Sequence, residues 1–286
     1  MTTDARSHRY DVNCSILFTE LPLYARPAAV REAGFGAVEY WWPFAEVSPP
    51  GKSVDAFTAS IGDAGMRLVS LNFAAGDLTA GDRGLVSSPD RAAEFRDSVQ
   101  IAVAIGELLG CRFFNALYGN RHDGIPAARH DEVALENLAY AAKAVGAIGG
   151  TVLLEALSSA PRYPLRVAAD AIAIAERVNQ VTRRDSCRIL ADVYHLTVNG
   201  DDVGAVIREH ASSIGHVQFA DAPGRGAPGT GQIDFAALLR MLDESSYQGW
   251  IGLEYQPGGP SADSFGWLPP ERRSPGAQGQ PEGARA

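Results

Sequence analysis

Along the chain, short apolar runs alternate with longer stretches in which apolar residues recur at helical spacing. The runs read as strands and the periodic stretches as amphipathic helices. Strands are predicted at 11–20 (DVNCSILFTE), 36–43 (GAVEYWWP), 66–73 (MRLVSLNF), 111–119 (CRFFNALYG), 151–157 (TVLLEAL) and 187–195 (CRILADVYH). Two more begin at His216 (HVQFA) and span 249–257 (GWIGLEYQP). Helices are predicted at 23–33, through VDAFTASIGDAG, and at 91–109, 131–148, 165–179, 202–210 and 234–245. Gly34, Gly65, Gly110 and the pair Gly149-Gly150 stop four of them, glycine being the residue that closes a helix in the left-handed conformation.

Alternating β and α segments with nearly continuous apolar strands are the pattern of parallel strands covered by helices. Eight such units predict an α/β fold, a (β/α)8 TIM barrel. An open doubly wound sheet would carry a Gly-rich phosphate turn after an early strand. Leu21-Pro22-Leu23 follows the first predicted strand instead, and no GxxxxGK occurs. The barrel takes residues 10–268 as one domain. A flexible arm, 1–9, precedes it, and a Pro/Gly/Arg/Glu-rich tail, 269–286, is expected to be disordered.

With 286 residues, 46% of them hydrophobic, the chain can bury one large core. A net charge of −9 excludes the basic footprint of a nucleic-acid binder. The three cysteines, Cys14, Cys111 and Cys187, are far apart and form no CxxC, which points to a reducing, cytoplasmic setting. No apolar leader or membrane-length run is present, so a membrane partner is not expected.

Chemistry in such a barrel sits at the C-terminal ends of the strands. Those ends carry Glu39, Asn72, Asn115, Glu155, Asp192 with His195, Gln218 and Glu254. In the last four strands an oxygen-bearing residue interrupts an apolar run. Buried carboxylates so close together repel unless a cation lies between them. Oxygen ligands without Cys favour one hard divalent ion, Mg2+ or Mn2+, held by Glu155, Asp192, Gln218 and Glu254. After Gln218 the stretch 216–234 continues with Asp221 and Arg225 in a loop of four Gly and two Pro, so an amide, a carboxylate and a guanidinium converge there. Taken alone, Glu39 reads first as a residue that orients a neighbour, and Asn72 and Asn115 serve equally by capping backbone. Glu39 and Asn72 remain candidate substrate contacts. His216 reads as a packing residue, and His122, His130 and His210 receive no role. Trp42 and Phe44 are placed to wall a pocket or to pack in the core.

The motifs resemble the hydroxypyruvate isomerase family within the xylose-isomerase-like TIM barrels. The similarity is carried by GFGAVEYWWP, NFAAGDLTAGDRG, ENLAYAA, LLEAL, LADVYH, GHVQFADAPGRGAPGTGQID and GWIGLEYQP. It implies a divalent ion on Glu155, Asp192, Gln218 and Glu254. His195 and Arg225 match positions that contact substrate oxygens in related isomerases and epimerases, and Arg225 could grip a carboxylate bidentately. The reaction implied is aldose–ketose isomerisation of a small hydroxy-keto acid, hydroxypyruvate to tartronate semialdehyde, with Glu155 and Glu254 moving the proton through an enediolate. Asp192 and Gln218 would serve only as ligands.

The chain departs from the family at Ala156-Leu157-Ser158, where Pro-x-Asn is usual. It departs again at Ala74 and Leu78, where Pro and Trp are usual, and at Gln256, often Lys. A ketose 3-epimerase or a 2-oxo-tetronate-type isomerase would use the same frame. A noncatalytic sugar-acid binding protein would keep the ligand set alone, and a nuclease resembling endonuclease IV would need more histidines and a basic face. The expected partner is a small keto acid or sugar, with a homo-oligomer left open.

Overall fold

The computed structural model describes residues 8–274. Residues 1–7 of the expected arm and 275–286 of the expected tail lie outside them. Eight parallel strands close into a barrel in sequence order. They are β1 (Arg9–Asn13), β2 (Ala37–Tyr40), β3 (Arg67–Asn72), β4 (Phe113–Asn115), β5 (Thr151–Glu155), β6 (Cys187–Asp192), β7 (Ile214–Phe219) and β8 (Trp250–Leu253). The helices are α1 (Arg26–Glu32), α2 (Gly51–Asp63), α3 (Ala92–Leu109), α4 (Ala127–Ala147), α5 (Ala168–Thr182), α6 (Val193–Val198), α7 (Val203–His210), α8 (Phe235–Glu244) and α9 (Pro270–Arg273). The barrel expected from the apolar pattern is therefore present, and β1 pairs with β8 to close it.

Seven of these helices form where the periodicity placed them; α6 and α9 were not expected. On α3 the buried residues Phe95, Val99, Ala102 and Ile105 make one stripe against the sheet. Each large side chain there contributes about 1.5–3 kcal/mol by leaving water. Most strands run shorter than their apolar runs, whereas β7 begins two residues before His216, at Ile214. Asn13 stops β1: its Oδ1 accepts from Ser15 N at 2.9 Å, and its carbonyl accepts from Ile16 N at 3.3 Å and Leu17 N at 2.9 Å. Residues 14–20, expected to extend the strand, are a loop instead.

The barrel also reaches beyond its expected limits. Arg9, assigned to the arm, opens β1, and Pro270–Arg273, assigned to the tail, are helical. Arg273 ties that helix down by donating to the carbonyls of Ala33 at 2.9 Å, Leu268 at 3.0 Å and Phe265 at 3.1 Å.

Inside the barrel, side chains two positions apart on a strand share a face. Asp11 and Asn13, His216 and Gln218, and Gly252 and Glu254 form such pairs, giving two polar layers. Gly252 keeps the deeper layer open: a Cβ there would lie 2.6 Å from Glu39 Oε1 and 2.9 Å from His216 Nε2.

The β3–α3 loop is stitched to the β4–α4 loop by Gly119 N to Arg83 O at 3.1 Å and Asn120 Nδ2 to Gly81 O at 2.9 Å. Gly84 makes this approach possible. Its φ is +115°, and a Cβ would lie 1.9 Å from the Leu117 carbonyl oxygen. Gly84→Ala should therefore cost roughly 2–4 kcal/mol in urea unfolding. Gly110→Ala, also at positive φ but with nothing within 4 Å, should cost about 1 kcal/mol. Equal losses would show that the close approach is not the constraint.

Candidate active site

Four strands bring oxygen-bearing side chains to one end of the barrel. Glu155 ends β5, Asp192 ends β6, Gln218 lies near the end of β7 and Glu254 follows β8 directly. All four are buried, and their contacts interlock. Gln218 Nε2 donates to Glu254 Oε2 at 2.6 Å and to Glu39 Oε1 at 2.7 Å. Glu254 Oε2 also accepts from Asn13 Nδ2 at 2.6 Å and Trp41 Nε1 at 3.2 Å, while its Oε1 is paired with Arg225. The same guanidinium lies 3.7 Å from Asp192 Oδ2. Glu155 Oε2 accepts from Asn115 Nδ2 at 2.7 Å.

Asp192 is aimed by the helix it starts. Its Oδ1 accepts from His195 N at 2.9 Å and so caps α6, while Oδ2 is buried and accepts no hydrogen bond. The cap places His195 in the first helical turn rather than in the strand expected from CRILADVYH. Ser158 N donates to His195 Nδ1 at 3.0 Å. Nδ1 is therefore the acceptor and the proton sits on Nε2. That nitrogen faces Asp192 Oδ2 at 3.8 Å and Glu155 Oε1 at 3.9 Å. Burial lowers the imidazole pKa, with Arg225 adding to the effect and Asp192 opposing it. At neutral pH the ring is an uncharged donor.

Arg225 sits at φ +55° in a loop built on Asp221. The Asp221 carboxylate accepts from the backbone of Ala222, Gly229, Gly231 and Ile233 at 2.8–3.0 Å. Asp221 is thus the scaffold of this loop, with its charge spent on backbone donors. Above it, Arg225 Cζ lies 5.6 Å from the Tyr194 ring.

Crowding shifts the carboxylates toward their neutral forms. Burial, followed by the charges of Glu254 and Asp192, raises Glu155 well above the usual carboxylate range, against the hydrogen bond from Asn115. Burial raises Glu254 to about 8 although Arg225 pulls the other way. Two buried acceptors, Asp192 Oδ2 and Gln218 Oε1, lack a donor. Three carboxylates, an amide oxygen and orphaned acceptors are a donor set suited to a hard divalent cation.

A second cluster, Asp11, Glu39 and His216, lies deeper. Like Glu155, Asp192 and His195, it brings its potential ligand atoms within 4.8 Å of one another. There His216 Nε2 and Glu39 Oε2 occupy each other at 2.8 Å. Of the two clusters only the upper one reaches the cavity, through Glu155 and His195, with Asp192 and Gln218 outside its lining; the cavity has a volume of about 810 Å3. Glu155, His195, Arg225, Glu254 and Asn72 line it, and Trp42 and Phe44 form part of its wall. Among the described residues, no helix is long and apolar enough to cross a membrane.

A family model described as xylose isomerase-like TIM barrel matches residues 27–271. A Streptomyces coelicolor protein named as a hydroxypyruvate isomerase is 50% identical, the match covering 93% of this chain and 97% of that one. This chain belongs to the hydroxypyruvate isomerase family. It is an isomerase. The hydroxypyruvate isomerase of Escherichia coli is 29% identical over 92% of this chain and 99% of its own. The 2-oxo-tetronate isomerase of Cupriavidus necator is 31% identical over 92% and 98%. Among solved structures, one named as a family 2 AP endonuclease from Brucella melitensis superposes with a TM-score of 0.82 at 31% identity, covering 91% of this chain and 98% of that chain.

The isomerase brings together six of the residues singled out in its sequence: Glu155, Asp192, His195, Gln218, Arg225 and Glu254. Asn72 joins them at the cavity wall. Glu39, a candidate substrate contact, is 1% exposed and lies outside the cavity lining, bonded to His216, Gln218 and Asn13. His216, read as packing, is its partner. Asn13 was missed, and Ser158 was marked only as a departure from the family pattern, not as a partner of His195. Asn13 lies where the apolar run continues, and Ser158 finds its partner, His195, 37 residues away. Of the departures from the family pattern, Leu78, Leu157, Ser158 and Gln256 line the cavity.

The raised carboxylates set a pH dependence. An unfolded glutamate titrates near its ordinary 4.5 and folded Glu254 near 8, so the folded state binds more protons between those values. This stabilisation is full below the unfolded pKa and is lost as pH rises through the folded one. The melting temperature of chelator-treated protein should therefore fall between about pH 5 and pH 8.5, and Glu254→Gln should flatten part of that slope. A melting temperature that rises over this window would contradict the assignment.

Proposed function

We propose that this isomerase interconverts a small 2-keto acid bearing an adjacent hydroxyl with its aldehyde isomer, hydroxypyruvate to tartronate semialdehyde being the first case. Glu155, Asp192, Gln218 and Glu254 hold one divalent ion, Mg2+ or Mn2+. The observation that carries this reading is the pair of buried, donorless oxygens, Asp192 Oδ2 and Gln218 Oε1, beside two raised glutamates that line the cavity. The relatives named for hydroxypyruvate and 2-oxo-tetronate support it.

A divalent ion bound there supplies Lewis acidity toward a carbonyl and the neighbouring hydroxyl. The side chains of the chain do the rest. Glu155 Oε1 accepts no hydrogen bond and opens on the cavity, so it is the freer base for the carbon-bound proton. Glu254 is the partner that returns or receives a proton on the other carbon. His195 Nε2–H donates to a substrate oxygen, and its position is fixed through Ser158 and the Asp192 cap. Trp42 and Phe44, with ring centroids 5.2 Å apart, exclude water from one side. The cavity volume of about 810 Å3 leaves ample room for a four-carbon acid, which favours 2-oxo-tetronate as the second substrate to try.

The test is a metal-supplemented assay with both acids. Glu155→Gln and Glu254→Gln each retain an oxygen ligand and lose the base, so turnover should fall about 10²–10⁴-fold with the divalent ion still bound. If both variants bind the ion and turn over at the parental rate, this proton-transfer scheme is wrong.

Glu39 has its own role in the reading. It holds Gln218 Nε2, which leaves Gln218 Oε1 as the atom turned toward the ion. Removing such a supporting partner commonly weakens metal affinity about 10- to 100-fold. Glu39→Ala should do so in calorimetric titration with Mn2+, and unchanged affinity would remove Glu39 from the site.

A further inference from the structure

Three arginines line the cavity: Arg26, Arg83 and Arg225. Their charges are compensated very differently. Arg225 is paired with Glu254 and lies 3.7 Å from Asp192. Arg26 donates to the carbonyls of Cys14 at 2.7 Å and Leu21 at 3.0 Å, and its charge acts on Glu20. Arg83 has no acidic partner among the described residues. Its Nη1 donates to the carbonyls of Leu78 at 3.1 Å and Asp82 at 2.6 Å, and its Nε and Nη2 make no hydrogen bond there. The adjacent acid, Asp82, is turned away: its carboxylate holds Arg91 at 2.7 Å and accepts from Asp77 N at 2.9 Å.

The backbone of Arg83 is fixed from both sides. Its carbonyl accepts from Gly119 N, and the next residue, Gly84, donates to Ala75 O at 2.9 Å. A guanidinium on an anchored backbone, with unused donors and no counter-charge, is a ready receptor for a planar anion. The other guanidinium beside the glutamates is already engaged: Arg225 is paired with Glu254 and lies 3.7 Å from Asp192.

We infer that Arg83, rather than Arg225, receives the carboxylate of the substrate and so selects acids over neutral sugars. This rests on the reading of the protein as a keto-acid isomerase. Arg83 then orients the substrate: the anionic end goes to the β3–α3 loop, and the carbonyl and hydroxyl go to the glutamates. The sequence NFAAGDLTAGDRG thereby acquires a function, with its glycines and Asp77 shaping a loop whose product is one uncompensated positive charge.

The experiment compares hydroxypyruvate with dihydroxyacetone, which carries a hydroxymethyl group in place of the carboxylate. Both are assayed with the metal-loaded parent, Arg83→Gln and Arg83→Lys. Loss of a hydrogen bond to a charged group should raise KM for hydroxypyruvate about 10- to 100-fold in Arg83→Gln. The ratio of kcat/KM for hydroxypyruvate over dihydroxyacetone should fall by a similar factor, with partial recovery in Arg83→Lys. Mn2+ affinity and melting temperature should match the parent. An unchanged ratio, or equal losses on both substrates, overturns the assignment while leaving the isomerase reading intact. If the parent isomerises no keto acid, that reading fails instead. Calorimetric binding of hydroxypyruvate then decides on Arg83: selective weakening in Arg83→Gln supports the receptor, and equal binding rejects it.

Discussion

The structure depends on keeping buried carboxylates from repelling one another inside a sealed barrel. Asp11, Glu39, Glu155, Asp192 and Glu254 are each no more than 5% exposed. An isolated charge in such surroundings would be neutralised or expelled. The chain answers with interior donors. Asn13 and Gln218 each bridge Glu39 and Glu254, Asn115 serves Glu155, and Arg225 sits between Glu254 and Asp192. In the deeper layer burial depresses His216, but Glu39 and the neighbouring acids outweigh it and raise its pKa. Burial first, and then Glu39, raise Asp11. Proton sharing below and amide bridging above make one continuous polar column through an apolar fold.

The residues that end strands also aim side chains. Asn13 turns the chain away from β1 with its carbonyl and Oδ1 while its amide nitrogen reaches two glutamates. Asp192 caps α6 with one oxygen and leaves the other for the site. Asp221 spends its whole carboxylate on the loop that carries Arg225. Local structure and site geometry are therefore decided by the same atoms, and a change at any of these positions is felt at both levels.

The barrel was legible because parallel strands buried on both faces leave long apolar runs, and helices leave periodic ones. Glu155, Asp192, Gln218 and Glu254 were legible because each interrupts such a run at the same place. What escaped depended on distant partners. His216 reads as a packing residue until Glu39, 177 positions away, is placed against it. Ser158 reads only as a departure from the family pattern until His195 is beside it. Arg225 reads as a substrate contact until Glu254 claims it. The end of β6 was misjudged because VYH continues an apolar run. Only the Asp192 side chain, by accepting from His195 N, turns that segment into a helix.

Closure of the barrel by β1 and β8 also sets a schedule for synthesis. The first strand leaves the ribosome with an unpaired edge and with Asn13 lacking one of its two acceptors until the eighth arrives. Gln218 and Arg225 likewise wait for Glu254. A fragment that stops short of Glu254 cannot assemble the site, because that carboxylate directly follows the strand that completes the cylinder. Assembly of these interlocked side chains and closure of the barrel are therefore one event, which waits for Glu254.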